Sequence, residues 1–387
     1  MNNWGRKKIV DISTVFEDGD WIESKDQSAE GIRLIQTGNV GNGIFKDRGE
    51  KARYISEDTF KKLRCTEIFE GDCLVSRLPD PVGRACILPD TGEKMITAVD
   101  CTIIRFDNKQ IIPNWFLYYS LSNEYQNEIQ KQVTGATRQR ISRKNLGLVS
   151  VPVAPLPEQQ RIVSILDKVF SVIERSRNNA EQNLKNAKKL FESYLQGVFE
   201  KKGDGWEEQL LEDCFKMKSG DNLTAKNMSE GEYPVFGGNG IAGYHNEFNL
   251  SGSNVIIGRV GALCGNVRHI TENIWLTDNA FKVVDFKFDF DHSFLTYLLN
   301  HKDLRSYARQ AAQPVISNSS LKDVVLIFPK SKKEQQTIVR QLDALRAETQ
   351  KLEAVYQKKM DDLVEMKKSI LQKAFAGELK TEKAAMI

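Results

Sequence analysis

The sequence has no Cys-x-x-Cys pair, no adjacent prolines and no apolar run approaching the length of a membrane span. Each absence closes off a class of function. Six cysteines (Cys65, Cys73, Cys86, Cys101, Cys214, Cys264) and four histidines (His245, His269, His292, His301) are scattered over 387 residues at no metal-ligand spacing. Neither a zinc site nor a disulfide framework is expected, and free buried thiols in a reducing compartment fit better. The opening MNNWGRKKIVDIS lacks the apolar centre of a secretory signal, so a cytoplasmic location is expected, with no membrane. No G-x-x-x-x-G-K-[ST] loop is present. GNGIAG, from Gly238 to Gly243, matches a dinucleotide fingerprint by letter, but the YHNEFNLSG behind it does not open a helix beneath a pyrophosphate. PDTGEK, from Pro89 to Lys94, puts Glu93 and Lys94 on opposite faces of any extended segment, so it reads as a turn and not a nuclease metal site. Without Pro-Pro, the motif with which amino-methyltransferases grip a flipped base is missing too. The chain is expected to carry no catalytic site, no metal and no cofactor of its own. Its net charge is only +3, so attraction to nucleic acid must come from local patches.

What is present is a sentence written twice. PEQQRIVSILDKVF (Pro157–Phe170) returns as KEQQTIVRQLDALR (Lys333–Arg346), about 176 residues later. Behind the first copy, apolar residues recur by threes and fours at Ile162, Leu166, Val169, Ile173, Ala180, Ala187, Leu190, Tyr194 and Val198. Behind the second, the same register gives Ile338, Leu342, Leu345, Leu352, Tyr356, Leu363, Met366, Ile370 and Ala374, with Thr349 as a polar interruption. A single apolar stripe on an otherwise polar helix buries against another helix, and a period near 3.5 predicts a left-handed pair. Each helix should be about 40 residues, or roughly 60 Å.

The segments ahead of the helices correspond as well. Trp4 and Trp206 open them; IQTGNVGNGIF resembles PVFGGNGIAGY; GDCLVSRLPDPVGRACIL resembles GSNVIIGRVGALCGNVRHI, setting Arg77 opposite Arg259 and Gly83 opposite Gly265. ITAVDCTIIRF resembles IWLTDNAFKVVDF, with Asp100 opposite Asp278, and WFLYYSL resembles SFLTYLL. Short apolar runs broken by glycine read as strands and turns. The expected fold class is α+β, in the order domain, helix, domain, helix: a β-rich domain over 1–155 with a long helix over 156–202, then a β-rich domain over 203–331 with a long helix and tail over 332–387.

One stretch reads as a binding signature. KQVTGATRQRISRK, from Lys131 to Lys144, has five basic residues and no acid. Its glycine and small hydroxyl residues let backbone approach a phosphate, while Arg138, Arg140 and Arg143 can fork onto phosphate or guanine. A solvated basic loop is the plain alternative. Arg77 and Arg84 are further candidates on the neighbouring strand pair. In the second half RQAAQPVISNSS takes the same place with only Arg309 charged, and Asn239, Arg259 and Asn318 are its candidate contacts. The place is kept while the chemistry changes, as in a reader of variable targets.

Together these motifs resemble the specificity subunits of type I restriction–modification enzymes. The two EQQ-x-I stretches (Glu158–Ile162, Glu334–Ile338), TGATRQRIS running into PLPEQQRI, and KSILQKAFAGEL with its echo FESYLQGVF carry the resemblance, which covers essentially the whole chain. It implies two target recognition domains separated by a pair of long antiparallel coiled-coil helices in a pseudo-twofold repeat, each domain reading half of a split DNA sequence, with the coiled coil fixing the spacer. It also implies two methyltransferase subunits carrying S-adenosylmethionine, and restriction–translocase subunits using ATP and Mg. The chain itself is then no enzyme. Two departures are Lys333 in place of Pro157 and the nearly uncharged second loop. A stand-alone DNA-binding regulator and a coiled-coil scaffold remain as rival classes.

Overall fold

The computed structural model describes residues 4–135, 139–201, 203–309 and 313–379. Two unbroken helices, Leu156–Glu200 and Lys332–Phe375, have 45 and 44 residues. The chain divides into two compact units, Met1–Ala180 with Lys358–Ile387, and Glu181–Gln357. Each long helix therefore gives one stretch to each unit. The first helix ends ahead of Gly203 and the second ahead of Gly377.

Among the described residues each unit has nine strands in three sheets. The first unit holds β1 (Gly5–Lys8), β2 (Ser13–Asp18), β3 (Ile32–Ile35), β4 (Arg53–Ile55), β5 (Cys73–Ser76), β6 (Ala85–Ile87), β7 (Met95–Thr97), β8 (Cys101–Phe106) and β9 (Ser150–Val153). The second holds β10 (Trp206–Leu210), β11 (Lys216–Ser219), β12 (Tyr233–Gly237), β13 (Gly240–His245), β14 (Asn254–Gly258), β15 (Val267–Ile270), β16 (Trp275–Leu276), β17 (Ala280–Val284) and β18 (Val325–Pro329). The sheets are β1-β9, β2-β8-β5-β6 and β4-β3-β7 in one, and β10-β18, β11-β17-β14-β15 and β13-β12-β16 in the other. Strand for strand, in chain order, the second set repeats the first. Even the one parallel pairing recurs, β3 with β7 and β12 with β16. The central strand β8, CTIIRF, is buried at five of six positions, which explains its nearly unbroken apolar run.

The direction of the helices follows from the two cores. In the first unit Ile162, Val163 and Leu166, near the start of one helix, share a core with Leu371, Ala374 and Phe375, near the end of the other. In the second unit Phe199, near the end of the first helix, shares a core with Ile338 and Leu342, near the start of the second. The pair is antiparallel.

The stripe departs from the expected register in four places. Ile162, Leu166, Ile173, Ile338 and Leu342 are buried, and Val169, Leu345, Leu363 and Ile370 half-buried. Leu190, Tyr194, Leu352 and Met366, however, are 49%, 40%, 40% and 50% exposed. From Ala187 the buried side steps by four to Phe191 and Leu195, which pack on the core of the second unit. A straight helix at 3.6 residues per turn drifts off a strict heptad by about 20° per repeat, and here a globular core follows the drift. Thr349 is buried, its hydroxyl donating to the Arg346 carbonyl at 3.0 Å.

The repeated EQQ has a local reason. Gln159 is fully buried; its Nε2 donates to the carbonyls of Ala154 (2.7 Å) and Gln110 (2.9 Å), and its Oε1 accepts from the Ile112 N–H (2.9 Å). Gln335 repeats this, donating to the Pro329 carbonyl (2.9 Å) and accepting from the Asp291 N–H (2.8 Å). The middle residue of each motif thus clips the long helix to the loop that starts the domain's own helix, Pro113–Ser120 or His292–His301. This clip also corrects the alignment by letter. Ile112 corresponds to Asp291, so Tyr118 corresponds to Tyr297 and not to Thr296. Both tyrosines donate to an aspartate eight residues beyond the clip glutamine, Tyr118 to Asp167 and Tyr297 to Asp343 (2.6 Å).

Candidate nucleic-acid interface

The loop signalled by its charge is built on the same backbone frame in both units. β5 and β14 are each followed directly by an arginine, Arg77 or Arg259, which opens a return turn. In that turn the Gly83 N–H donates to the Ser76 carbonyl (2.9 Å) and the Gly265 N–H to the Gly258 carbonyl (2.7 Å). Both glycines take φ near +85° (82° and 86°), where a side chain would be strained. The Arg77 carbonyl then accepts from the Ile141 N–H at 3.2 Å, and the Arg259 carbonyl from the Ile316 N–H at 2.9 Å. The loops themselves are pinched shut by matching bridges, Thr134 to Arg140 and Arg309 to Val315. Beyond each pinch a serine caps a short helix: Ser142 accepts from the Asn145 N–H and Ser317 from the Ser320 N–H. Arg143 and Asn318 consequently occupy the same position, one residue past the cap. On the other side Arg77 N–H donates to the Asp100 carbonyl and Arg259 N–H to the Asn279 carbonyl, so Asp100 corresponds to Asn279 and not to Asp278.

The candidate residues fall into two groups. Arg140 and Arg143 are exposed, with Arg140 3.5 Å from Asp100, and Lys131 and Lys144 are exposed in the same region. Arg138 lies outside the described residues. Arg77 and Arg84 belong to the second group, whose side chains are buried. Arg77 is 3% exposed; its guanidinium donates to the Val99 carbonyl at 2.6 Å and lies 3.3 Å from Asp18. Arg84 donates to the carbonyls of Thr37, Val40 and Leu78 at 2.7–2.8 Å, tying the turn after β3 to the β5–β6 turn. Burial lowers the Arg84 pKa from its ordinary value. Both guanidiniums are thus committed to main-chain oxygens of neighbouring loops. Arg259 is half-buried, over the Phe281 ring, with the Asp278 carbonyl 3.3 Å from its Nη1. Asn318 is exposed. Asn239 is also exposed, at the β12–β13 turn, where its Oδ1 accepts from the Leu263 N–H at 2.9 Å.

Among the described residues no cluster of His, Cys, Asp or Glu suits a metal ion, and no helix is long and apolar enough to cross a membrane. All six cysteines are buried and unpaired. Burial pushes the Cys86 thiol up to about 12, which keeps it protonated and inert at neutral pH.

Comparison with known proteins bears on this arrangement. The profile of the type I restriction modification DNA specificity domain matches residues 1–185 and again 203–359. The EcoprrI specificity subunit of Escherichia coli is 31% identical over 185 residues, 46% of each chain, so this chain's match spans about half of that relative. The StySPI specificity subunit of Salmonella potsdam is 24% identical over 328 residues, 72% of this chain and 68% of the other. Two solved chains share the fold. One, from a study of a type I R-M system, has a TM-score of 0.79 at 16% identity, covering 98% of this chain and 99% of that one. The other, the HsdS subunit from Thermoanaerobacter tengcongensis, has a TM-score of 0.63 at 17% identity and covers 98% of both.

Proposed function

The chain belongs to the type I restriction–modification DNA specificity family, and from that premise we propose that it reads a split, asymmetric sequence in double-stranded DNA, one half-site per domain. On this reading it acts in the cytoplasm and contributes recognition, not catalysis. It positions two methyltransferase subunits and, where present, the restriction–translocase subunits; those partners carry S-adenosylmethionine, ATP and Mg. The observation that carries the reading is the twice-built loop frame with its contents exchanged. Arg140 and Arg143 stand in one unit where Val315 and Asn318 stand in the other. A duplicated scaffold holding different side chains at the same positions is what two unlike half-sites require. Base edges are read by side chains, whereas the frame is set by main-chain bonds.

The test of the basic loop is DNA binding by the complex assembled with its methyltransferase subunits, over a salt series, on cognate and mismatched sites. With Arg138, Arg140 and Arg143 all changed to alanine, the salt slope should flatten by about one unit for each phosphate no longer neutralised. Any of the three that reads a base should cost about 1–3 kcal/mol of discrimination at one position of the first half-site. Unchanged affinity and slope in a normally assembled complex would leave the loop a solvated linker. Tight, site-specific binding by the chain alone would instead favour a regulator.

The coil as ruler has its own test. Arg346 lies over the Phe191 ring and Tyr194 bonds to Gln341, a register that sets Asn183 level with Glu353. One heptad inserted after each lengthens the pair by roughly 10 Å, about three base pairs. The methylated motif should gain spacer and keep both half-sites. An altered half-site with the old spacer would sink the ruler.

A further inference from the structure

In the second unit four separate turns meet around an open depression of about 440 Å³ whose lining, among the described residues, includes no charged one. Asn222 comes from the β11–β12 connection, Asn239 from the β12–β13 turn, Asn279 from the β16–β17 turn and Gln313 from the loop pinched by Arg309 and Val315. All four are exposed. Asn239 spends its Oδ1 on the Leu263 N–H, while the side-chain amides of Asn222, Asn279 and Gln313 have no hydrogen-bond partner among the described residues. Between them the backbone comes close to itself. A Cβ on Gly238 would meet the Val260 carbonyl oxygen at 1.9 Å, so this floor tolerates no side chain there.

An amide both donates and accepts, and its two groups match adenine in the major groove, accepting from N6–H and donating to N7. A guanidinium only donates and matches the O6 and N7 acceptors of guanine. We propose that the second domain reads its half-site through these amides, with Asn279 and Gln313 as the specificity-determining residues for A·T pairs, while the guanine preference lies with the arginine loop of the first domain. This deepens the family reading and rests on it. The two domains thereby divide the work: the amide site supplies sequence choice with little salt dependence, and the basic loop supplies the counterion-driven affinity.

The experiment maps methylation in cells carrying this chain with its methyltransferase subunits, with Asn279→Ala, Gln313→Ala and Gln313→Glu as variants. Each alanine variant should relax one A·T position of the second half-site by roughly 10- to 100-fold, leaving the first half-site and the salt slope of the purified complex unchanged. Gln313→Glu, which can only accept, should turn its position from A towards C. If the unsubstituted complex methylates a split motif and all three variants keep its second half-site intact, the amide reading is wrong. If the unsubstituted complex methylates no specific motif, it is the family reading that has failed. Loss of methylation in a variant is checked by salt-dependent binding of the purified complex to the same sites. Unaltered discrimination there also overturns the proposal.

Discussion

Leu342→Asp should unfold the second unit, lowering its melting temperature by roughly 10 °C or more. Leu342 is fully buried in the core formed with Phe199, Leu326 and Phe328. Removing a buried leucine costs about 3–5 kcal/mol, and a carboxylate placed there must remain protonated or drag water inward, which adds to the loss. Against total stabilities of about 5–15 kcal/mol, that is most of what a unit has. Leu166→Asp should do the same to the first unit, where Leu166 is equally buried. Leu352→Asp is the control, because Leu352 is 40% exposed. It should shift stability by less than about 1 kcal/mol. Calorimetry on the three variants decides the point. Equal losses at Leu342 and Leu352 would restore the strict heptad and refute the drifting stripe.

The second large effect should come from a polar residue. Gln159→Leu preserves most of the volume but leaves the Ile112 N–H and the carbonyls of Gln110 and Ala154 without their partner. Each abandoned buried group costs about 1–3 kcal/mol, so a loss of roughly 3–6 kcal/mol is expected. Gln335→Leu abandons two groups, the Asp291 N–H and the Pro329 carbonyl, and should cost less, about 2–4 kcal/mol. Gln160 and Gln336, their exposed neighbours in the same motif, should tolerate leucine. Chemical denaturation of the four variants tests this order. If Gln160→Leu proves the more damaging of the first pair, the clip has been misassigned, and the motif's middle residue is not the one that matters.

Much of the architecture is legible in the chain because duplication makes it its own comparison. The two EQQ runs and the stripes behind them need nothing beyond counting. What is not legible depends on which neighbour a residue meets. Leu190 and Phe191 are both plausible seam residues, and only the position of the domain core selects the second. Aligning WFLYYSL with SFLTYLL by letter matches phenylalanine to phenylalanine, yet the glutamine clip counts from the helix start and pairs the tyrosines. Arg77 and Arg84 carry the right charge for DNA, but carbonyls from distant turns claim them. The amide depression had no sequence signal, apart from Asn239, because its residues come from four turns spread between 222 and 313.

The clustering of Leu371, Ala374 and Phe375 with Ile162 and Leu166 has a consequence for synthesis. Phe375 packs edge-on against Trp115 and Tyr119, at 5.0 and 5.2 Å between ring centres. Residues 4–180 therefore emerge from the ribosome with a hole in their core that stays open until about 190 further residues have been made. At roughly 5–20 residues per second this is on the order of ten seconds or more of waiting. The second unit, contiguous from Glu181 to Gln357, faces no such delay and can close first, so the half of the protein that begins last is free to finish earlier. A nascent chain stalled before Leu371 should then offer a protease its first domain and shield its second.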